Sequence, residues 1–258
     1  YKWDEIREDG VIPLWVADMD FEASPAIKKA LTRRVEHGVF GYTEVDEEYY
    51  DAIISWQRRR HQWEIERNWI LYTSGVVPAV SCCTKALTLP GDKVVVMTPV
   101  YNCFFSSIRN QGCEIAESKL IRKGDSYIID WDEFERQCSD ERTTVFLLCN
   151  PHNPVGRVWT RDELERMGEI CRRHNVRVIS DEIHCELTMP GYSFIPFAAV
   201  NEENLRNSVT LNAPSKAFNT AGLQNAYLIC SDNVMRHRIN RVINIYEVCD
   251  VNPFGVEG

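Results

Sequence analysis

The sequence predicts an α/β fold with a mostly parallel sheet, and two observations carry that prediction. From residue 69 onward, short apolar segments of strand character alternate with segments whose apolar residues recur at helical spacing. Such alternation is typical of βαβ units, in which a helix connects two parallel strands. Polar clusters also follow three of the predicted strands, and ligands of open α/β sheets bind outside the carboxyl ends of the strands. We therefore expect one crevice to gather these clusters.

Local sequence marks two helix starts. Ser24 and Pro25 predict the first, because the hydroxyl caps the first turn and proline fits its φ angle, and Gly38 lies just past the expected end. Thr160 and Glu163 have the spacing of a capping box, which predicts a second helix that begins there.

Apolar periodicity predicts the remaining elements. Helices are expected at 46–61, 78–87, 104–110 and 233–248, and strands at 69–73, 93–97, 114–118, 144–149, 176–180 and 208–211. The sequence contains no internal repeat, low-complexity tract or glycine-serine linker. Its 258 residues are enough for one large α/β domain or two small ones.

Composition argues against several classes of partner. The 29 basic and 38 acidic residues give a net charge of −9, which disfavours a nucleic-acid partner. No apolar run approaches the roughly 18 residues of a membrane span. The ten cysteines are scattered and form no Cys-x-x-Cys pair, which predicts reduced core thiols and no metal site. We expect a cytoplasmic protein that binds neither membrane nor nucleic acid.

Polar residues that could take part in catalysis or ligand binding directly follow the predicted strands. Lys216 lies in the segment 212–219, and a lysine at a strand end can act as an amine that captures an electrophile. Segments 150–156 and 181–184 follow two other strands. Residues 74–77 connect a strand to a helix and predict an anion-binding loop, because backbone N–H groups are free at a helix start.

The polar segments that follow the strands, in their order and their residues, resemble those of the fold-type I pyridoxal-phosphate enzymes, the large family of aspartate aminotransferase. The chain is most similar to the cystalysin-like branch of cystathionine β-lyases and cysteine-S-conjugate β-lyases. That likeness lies in residues 16–21, 75–78, 151–158, 181–184 and 189–192. The resemblance implies a three-layer αβα large domain with pyridoxal 5'-phosphate as cofactor.

The resemblance also divides the chain. Residues 1–23 would form an N-terminal segment near the substrate entrance, and residues 24–258 the cofactor-binding large domain. Family members continue into a small C-terminal domain, which we expect to be missing from this chain. The arginine that binds the substrate carboxylate in the family belongs to that domain and has no counterpart here.

The resemblance assigns a role to each candidate around the cofactor ring. Lys216 would hold the cofactor covalently and later remove the Cα proton, and Asp181 would keep the pyridine nitrogen protonated. Tyr101 would stack on the ring, with a plain core tyrosine as the alternative. Asn153 would donate a hydrogen bond to the ring oxygen. His184 stands where many relatives carry a tyrosine and is as readily a structural histidine.

The resemblance also predicts how the cofactor phosphate is held. Gly75, Val76 and Val77 would form the cup, and Ser215 would add a hydroxyl. Tyr42 would reach across from a partner subunit, which implies a homodimer with shared sites.

Two residues depart from the family pattern, and one assignment has a local alternative. Ala213 stands where relatives often have serine, and Gln224 replaces a frequent arginine, so we expect the phosphate to be held by less positive charge. Asp181 could instead cap a helix. The apolar alternation of Ile183, Cys185 and Leu187 favours a strand that continues past it.

The resemblance implies a carbon–sulfur β-lyase that cleaves L-cystathionine or cysteine S-conjugates to pyruvate, ammonia and a thiol. An aminotransferase shares every residue named above and is the first alternative. A regulatory protein that binds pyridoxal 5'-phosphate is the second.

Overall fold

The computed structural model describes residues 2–6 and 8–257 and confirms the α/β prediction. In chain order the strands are β1 (Ile70–Thr73), β2 (Lys93–Thr98), β3 (Glu114–Lys119), β4 (Ile121–Lys123), β5 (Ser126–Ile128), β6 (Thr143–Cys149), β7 (Arg177–Asp181), β8 (Ser208–Asn212) and β9 (Ala226–Ile229). Seven of them form one sheet in the order β1-β9-β8-β7-β6-β2-β3, while β4 and β5 pair as a separate hairpin. Only β9 runs antiparallel to its neighbours in this sheet, so the sheet is mostly parallel as predicted.

Helices connect these strands in the described part of the chain. They are α1 (Pro25–His37), α2 (Glu47–His61), α3 (Val76–Leu87), α4 (Cys103–Arg109), α5 (Trp131–Cys138), α6 (Arg161–Arg173), α7 (Glu202–Asn207) and α8 (Asn233–Ile245). Short 3-10 turns lie at Arg67–Trp69, Phe197–Ala199 and Ala221–Leu223. No helix in residues 2–6 and 8–257 is long and apolar enough to cross a bilayer.

Both predicted helix starts are confirmed by their hydrogen bonds. The Ser24 hydroxyl accepts from the backbone N–H of Ile27, and Gly38 ends α1 with a left-handed φ of 75°. Thr160 and Glu163 form the reciprocal capping box, with distances of 3.3 and 2.9 Å. These local signals were sufficient to place both helices.

The sheet is covered on both faces, which confirms the three-layer architecture. Along β2, Val94 and Val96 point into one core cluster, and Val95 and Met97 point into another. The first cluster includes residues of α3, α4 and α8, and the second includes residues of α5 and α6. Because both faces are apolar, the polar groups of the parallel strands concentrate at the strand ends.

Several short elements were not predicted, and α8 ends earlier than expected. The hairpin β4–β5, helices α5 and α7, and strand β9 are three to eight residues long, so sequence periodicity is weak within them. The helix expected at 233–248 ends at Ile245, and Tyr246, just beyond it, is 40% exposed. Its hydroxyl donates to Gln111 Oε1 at 2.7 Å.

The cysteines are largely core residues, as predicted. All ten are free thiols, and eight of them are buried. Cys103 and Cys249 are partly exposed.

We predict that Gly168→Ala destabilises the protein by about 1–3 kcal/mol, since overpacking a closed core carries a cost of this order. A Cβ at Gly168 would lie 2.6 Å from Cγ of Asn204. Asn204 is buried, and its amide donates to the carbonyls of Leu164 and Phe197, so it cannot move aside freely. The steric effect should outweigh the helix preference of alanine, about 1 kcal/mol.

Urea denaturation measures this change. Gly222→Ala is the matched control, because an added Cβ there meets nothing within 4 Å. A Gly168→Ala protein at least as stable as wild type would show that the contact between α6 and α7 is not close-packed.

Candidate active site

The three predicted polar clusters meet at one edge of the sheet. β6, β7 and β8 are parallel neighbours, and their register pairs Cys149 with Asp181 and Asp181 with Leu211. The backbone N–H of Asn150 donates to the Asp181 carbonyl at 2.9 Å, and that of Glu182 donates to the Leu211 carbonyl at 2.9 Å. β1 and β2 run in the same direction, so the segments that follow them reach this edge as well.

Asp181 is the last residue of β7 and is 5% exposed. Burial raises the pKa of its carboxyl to about 7, because the charged form loses water, while the N–H of Ile183 and the charge of Lys216 oppose that rise. Within the described residues, no lysine, arginine or histidine forms an ion pair with it. A buried carboxylate without a cation is unfavourable, so this position suits a positively charged ligand.

The predicted strand continuation past Asp181 is wrong, and so is the helix N-cap alternative. β7 ends at Asp181, and residues 183–186 form turns. The Asp181 carboxylate accepts from the N–H of Ile183 at 3.1 Å, and the N–H of Cys185 donates to the Glu182 carbonyl at 3.0 Å. These local bonds bend the chain although its apolar residues alternate.

Lys216 lies in a turn that follows β8. The N–H of Phe218 donates to the Pro214 carbonyl at 2.9 Å, and that of Thr220 donates to the Ser215 carbonyl at 3.1 Å. Lys216 is partly buried, and its charge opposes the raised pKa of Asp181. An amine and a buried carboxylate therefore share one electrostatic environment.

His184 lies in the same environment. Burial lowers the pKa of its imidazole, and the positive charge of Lys216 lowers it further. At neutral pH the imidazole is therefore uncharged, and one ring nitrogen can accept a hydrogen bond while the other donates. Its position beside Lys216 does not by itself separate the structural role from the functional one.

Tyr101 follows β2 and is half-buried. Burial raises the pKa of its phenol well above the usual value, and the Cys103 thiol and the Asp181 carboxylate add to that rise. Its ring contacts the ring of Phe104 edge-on at 6.0 Å between centroids. Tyr101 therefore lies within electrostatic reach of Asp181, and its stacking on the cofactor ring stays a prediction.

Asn153 lies in the loop that follows β6, and that loop is fixed to its neighbours. The backbone N–H of Asn153 donates to Cys149 Sγ at 3.3 Å. Nε2 of the buried His152 lies 2.9 Å from the Pro99 carbonyl oxygen, which links this loop to the end of β2. Asn153 itself is partly buried.

The loop 74–77 begins α3 as predicted. Gly75 is the N-cap residue, and no side chain caps this helix start. Val76 is buried, whereas Val77 is 38% exposed. The first-turn N–H groups have no acceptor within an α-helix, so this start can hold an anion such as a phosphate. Ser215 is partly buried in the turn that carries Lys216.

Tyr42 is fully exposed in the single chain, at 104% of its reference area. It belongs to a stretch without helix or strand between α1 and α2. The predicted contact of Tyr42 with a partner's cofactor stays a prediction.

Sequence reasoning missed Asn219, three residues after Lys216. Its Oδ1 accepts from the Met19 N–H at 3.1 Å, and its Nδ2 donates to the carbonyls of Met19 at 3.1 Å and Phe21 at 2.7 Å. Its backbone has a left-handed φ of 56°, which asparagine tolerates better than most residues. One side chain thus attaches the N-terminal segment to the lysine turn.

Sequence reasoning also missed a cluster of three potential metal ligands. Ligand-type atoms of His61, Cys185 and Glu186 lie within 4.8 Å of one another. The Glu186 carboxylate already accepts from Trp56 Nε1 at 2.8 Å and from the Arg60 guanidinium at 2.9 Å. We interpret this cluster as a polar network that holds α2 against the turn after β7. The expectation of no metal stays a prediction.

We predict that Asn219→Gly releases the N-terminal segment. Glycine keeps the left-handed backbone but removes three hydrogen bonds, each worth about 0.5–1.5 kcal/mol. Chymotrypsin should then cleave at Leu14, Trp15 or Phe21 several times faster than in wild type, because these side chains are already exposed and a released backbone can extend into the protease cleft.

Asn175→Gly is the control, since Asn175 is also left-handed, with φ 59°, but lies at the far end of α6. Equal cleavage rates in the two variants would show that Asn219 does not hold this segment.

Comparison with known proteins places these features in a family. The family model described as aminotransferase class I and II matches residues 9–250. Cystathionine beta-lyase PatB of Bacillus subtilis (strain 168) is 42% identical over 259 aligned residues, covering 99% of this chain and 67% of the relative.

Two solved structures match almost the whole chain. Cystalysin from Treponema denticola, which contains a pyridoxal 5'-phosphate cofactor, has a TM-score of 0.94 at 38% identity, covering 97% of this chain and 64% of that one. A pyridoxal-phosphate-bound putative aminotransferase from Clostridium difficile 630 has a TM-score of 0.95 at 38% identity, covering 99% of this chain and 67% of that one. This chain spans about two-thirds of the length of these proteins. It belongs to the class I and II aminotransferase family, the fold-type I pyridoxal-phosphate enzymes.

Proposed function

We propose that this chain is the cofactor-binding part of a pyridoxal 5'-phosphate-dependent carbon–sulfur β-lyase. Its substrate would be L-cystathionine or a cysteine S-conjugate, and its products pyruvate, ammonia and a thiol. The observation that carries the proposal is the buried Asp181 carboxylate within electrostatic reach of the Lys216 amine, in a chain 42% identical to a cystathionine β-lyase.

The residues present fit pyridoxal 5'-phosphate. Asp181 offers a buried negative charge that lacks an ion pair within the described residues, and a protonated pyridine nitrogen would supply the missing cation. Lys216 offers an amine in the same environment, and the uncapped start of α3 at Gly75 offers N–H groups to a phosphate. When bound, the cofactor supplies an electron sink for negative charge at the substrate Cα.

Each side chain of the site would then have a separate role in the reaction. Asp181 holds a proton at the ring nitrogen, and Asn153 donates to the ring oxygen. Lys216 Nζ accepts the Cα proton and can return it to the departing sulfur. Tyr101 covers one face of the ring, and neutral His184 can exchange hydrogen bonds at its rim.

The N-terminal segment 1–23 would line the substrate entrance, and residues 24–258 would hold the cofactor. The Asn219 hydrogen bonds support this division, because they attach residues 19–21 to Asn219, which lies three residues after Lys216. This attachment supports a segment that lies close to the route by which a substrate would approach Lys216.

An aminotransferase is the second candidate function. The observation in its favour is the similarity to a structure described as a putative aminotransferase. Both reactions begin with removal of the Cα proton by the lysine, so the residues named above serve either one.

We propose a cytoplasmic location for this protein. All ten cysteines are free, and reduced thiols are typical of proteins from reducing compartments. The net charge of −9 disfavours a nucleic-acid partner.

We also propose a homodimer with shared sites. Large apolar side chains between residues 14 and 42 are exposed in the single chain, namely Leu14 at 83%, Phe21 at 78%, Val39 at 62%, Phe40 at 55% and Tyr42 at 104%. Exposed apolar surface of this kind is typical of an interface, and two-fold dimers are the commonest closed assembly.

We predict that the full-length protein releases pyruvate, ammonia and a thiol from cystathionine in equal amounts, without any keto acid. β-Elimination ends with the cofactor in its starting state, whereas transamination leaves it as an amine that needs a second substrate. Product quantification over many turnovers measures this, and Lys216→Ala should form no product above background. Turnover that stops after about one equivalent and resumes with a keto acid would establish the aminotransferase instead.

We predict that two inactive variants restore each other. Tyr42→Ala removes the donated phosphate contact, and Lys216→Ala removes the amine, but a hybrid dimer keeps one site with both residues intact. Random subunit exchange should recover about a quarter of wild-type activity, because half of the dimers are hybrids with one intact site of two. No recovery, with exchange verified by mass, would contradict shared sites.

A further inference from the structure

The turn of residues 183–186, which follows β7, ends on a carboxylate that helix α2 holds. The Glu186 side chain is only 11% exposed. Its Oε1 accepts a hydrogen bond from Trp56 Nε1 at 2.8 Å, and its Oε2 accepts from Arg60 Nε at 3.1 Å and Nη2 at 2.9 Å. Nε2 of the buried His61 ring lies 2.9 Å from Oε1. All of these groups come from the last two turns of α2.

The Glu186 carboxylate is ionised in this setting. Burial raises its pKa, but the hydrogen bonds from Trp56 and Arg60 lead the effects that outweigh burial, so the pKa lies below its usual value. Hydrogen bonds to a charged acceptor are stronger than those between neutral groups. The bond from Trp56 Nε1 is therefore a firm attachment of α2 to the turn of residues 183–186.

The ring of the same Trp56 contacts the turn that carries Lys216, residues 214–219. Its centroid lies 5.5 Å from that of the Phe218 ring, with 70° between the planes, which is an edge-to-face arrangement that aromatic pairs favour. The backbone N–H of Phe218 donates to the Pro214 carbonyl at 2.9 Å, so this ring belongs to the hydrogen-bonded turn itself. One indole therefore contacts both turns, with its N–H on one and its ring on the other.

Beyond the strand ends, the sheet no longer connects these two turns. The last hydrogen bonds between β7 or its turn and β8 run from the Glu182 N–H to the Leu211 carbonyl at 2.9 Å and from Asn212 Nδ2 to Cys185 Sγ at 3.2 Å. Within the part of the chain that the structure describes, no hydrogen bond or ion pair connects residues 183–186 with residues 214–219. The relative position of the two turns therefore depends on side chains that contact both.

We propose that Trp56 is a positioning residue, which fixes Lys216 relative to Asp181 and His184 by holding the two turns together. Lys216 lies two residues before the Phe218 ring, and the other turn begins directly beyond Asp181 and contains His184. A small shift between the turns would misplace the amine relative to the buried carboxylate, and catalysis tolerates little misplacement. The effect on turnover rests on the proposed function, whereas the contact of Trp56 with both turns does not.

Trp56→Phe in the full-length holoenzyme tests this role, because phenylalanine keeps a ring beside Phe218 but cannot donate to Glu186. We expect kcat to fall about tenfold or more and KM to stay within about threefold, since Trp56 acts through the two turns and not on the substrate. The pH midpoint of cofactor absorbance should move by about 0.5 or more in either direction, because the charges around the cofactor are displaced. Wild-type kcat and midpoint in a variant that is merely less stable in urea would overturn the proposal.

Trp131→Phe is the matched control. Trp131 is also partly buried, its ring lies edge-on to Phe134 at 6.3 Å, and the Arg166 guanidinium lies 4.3 Å from its centroid. It belongs to α5 and packs against the core cluster that α5 and α6 share. Its kcat and midpoint should stay within about twofold and 0.2 of wild type. Equal changes in the two variants would contradict a specific role for Trp56.

Combined variants test whether the indole connects the two turns. Glu186→Gln removes the charge that holds the indole N–H, and Phe218→Leu removes the ring contact, so each should move the midpoint when Trp56 is present. Neither should move it further in Trp56→Ala, because both act through the same indole. Full, additive shifts without the indole would show that the turns respond independently, and the proposal would be wrong.

Two features keep this experiment decisive. Should Trp56→Ala not fold, the Trp56→Phe background tests Glu186→Gln in the same way, because it lacks the same N–H donor. The absorbance midpoint requires only bound pyridoxal 5'-phosphate, so it reports on Trp56 whether the reaction is a β-elimination or a transamination. Product analysis, by contrast, tests the proposed function alone.

Discussion

The buried carboxylate of Asp181 is the constraint on which the rest of the site depends. Parallel pairing of β6, β7 and β8 places this residue in the middle of three strand ends, away from bulk water. Its environment supplies one backbone N–H and the charge of Lys216, but no contact ion pair within the described residues. The fold therefore keeps a negative charge that is only partly compensated, and the cationic ring nitrogen of the proposed cofactor would complete it.

The loops around that charge are held by hydrogen bonds and ring contacts from distant parts of the chain. Asn219 attaches the N-terminal segment to the lysine turn, and Trp56 of α2 both contacts the Phe218 ring at 5.5 Å and donates to Glu186. His152 and Asn150 connect the loop after β6 to its two neighbours. Catalysis tolerates little misplacement of the reacting groups. These contacts therefore matter to the site as much as the residues that would touch the cofactor.

Much of the fold was readable from sequence because it depends on local signals. The capping box at Thr160 and the alternation of short apolar strands with helical segments required no knowledge of tertiary contacts. The antiparallel β9 was missed, although the equally short β1 was predicted, because a 3-10 turn and not a longer helix precedes it, so the strand–helix alternation does not mark it. The path after Asp181 was missed because a hydrogen bond from the Ile183 N–H to the Asp181 side chain overrides the apolar pattern. Asn219 gains its importance from partners about 200 residues away in the chain, which a short motif does not reveal.

Borohydride reduction of the full-length protein, followed by peptide mapping, tests the central claim most directly. If Lys216 is the amine that faces Asp181 across the cofactor site, the reduced cofactor should be attached to the peptide that contains Lys216, and Lys216→Ala should abolish the adduct. Attachment to any other lysine, or no adduct in a protein that still binds pyridoxal 5'-phosphate tightly, would contradict the account.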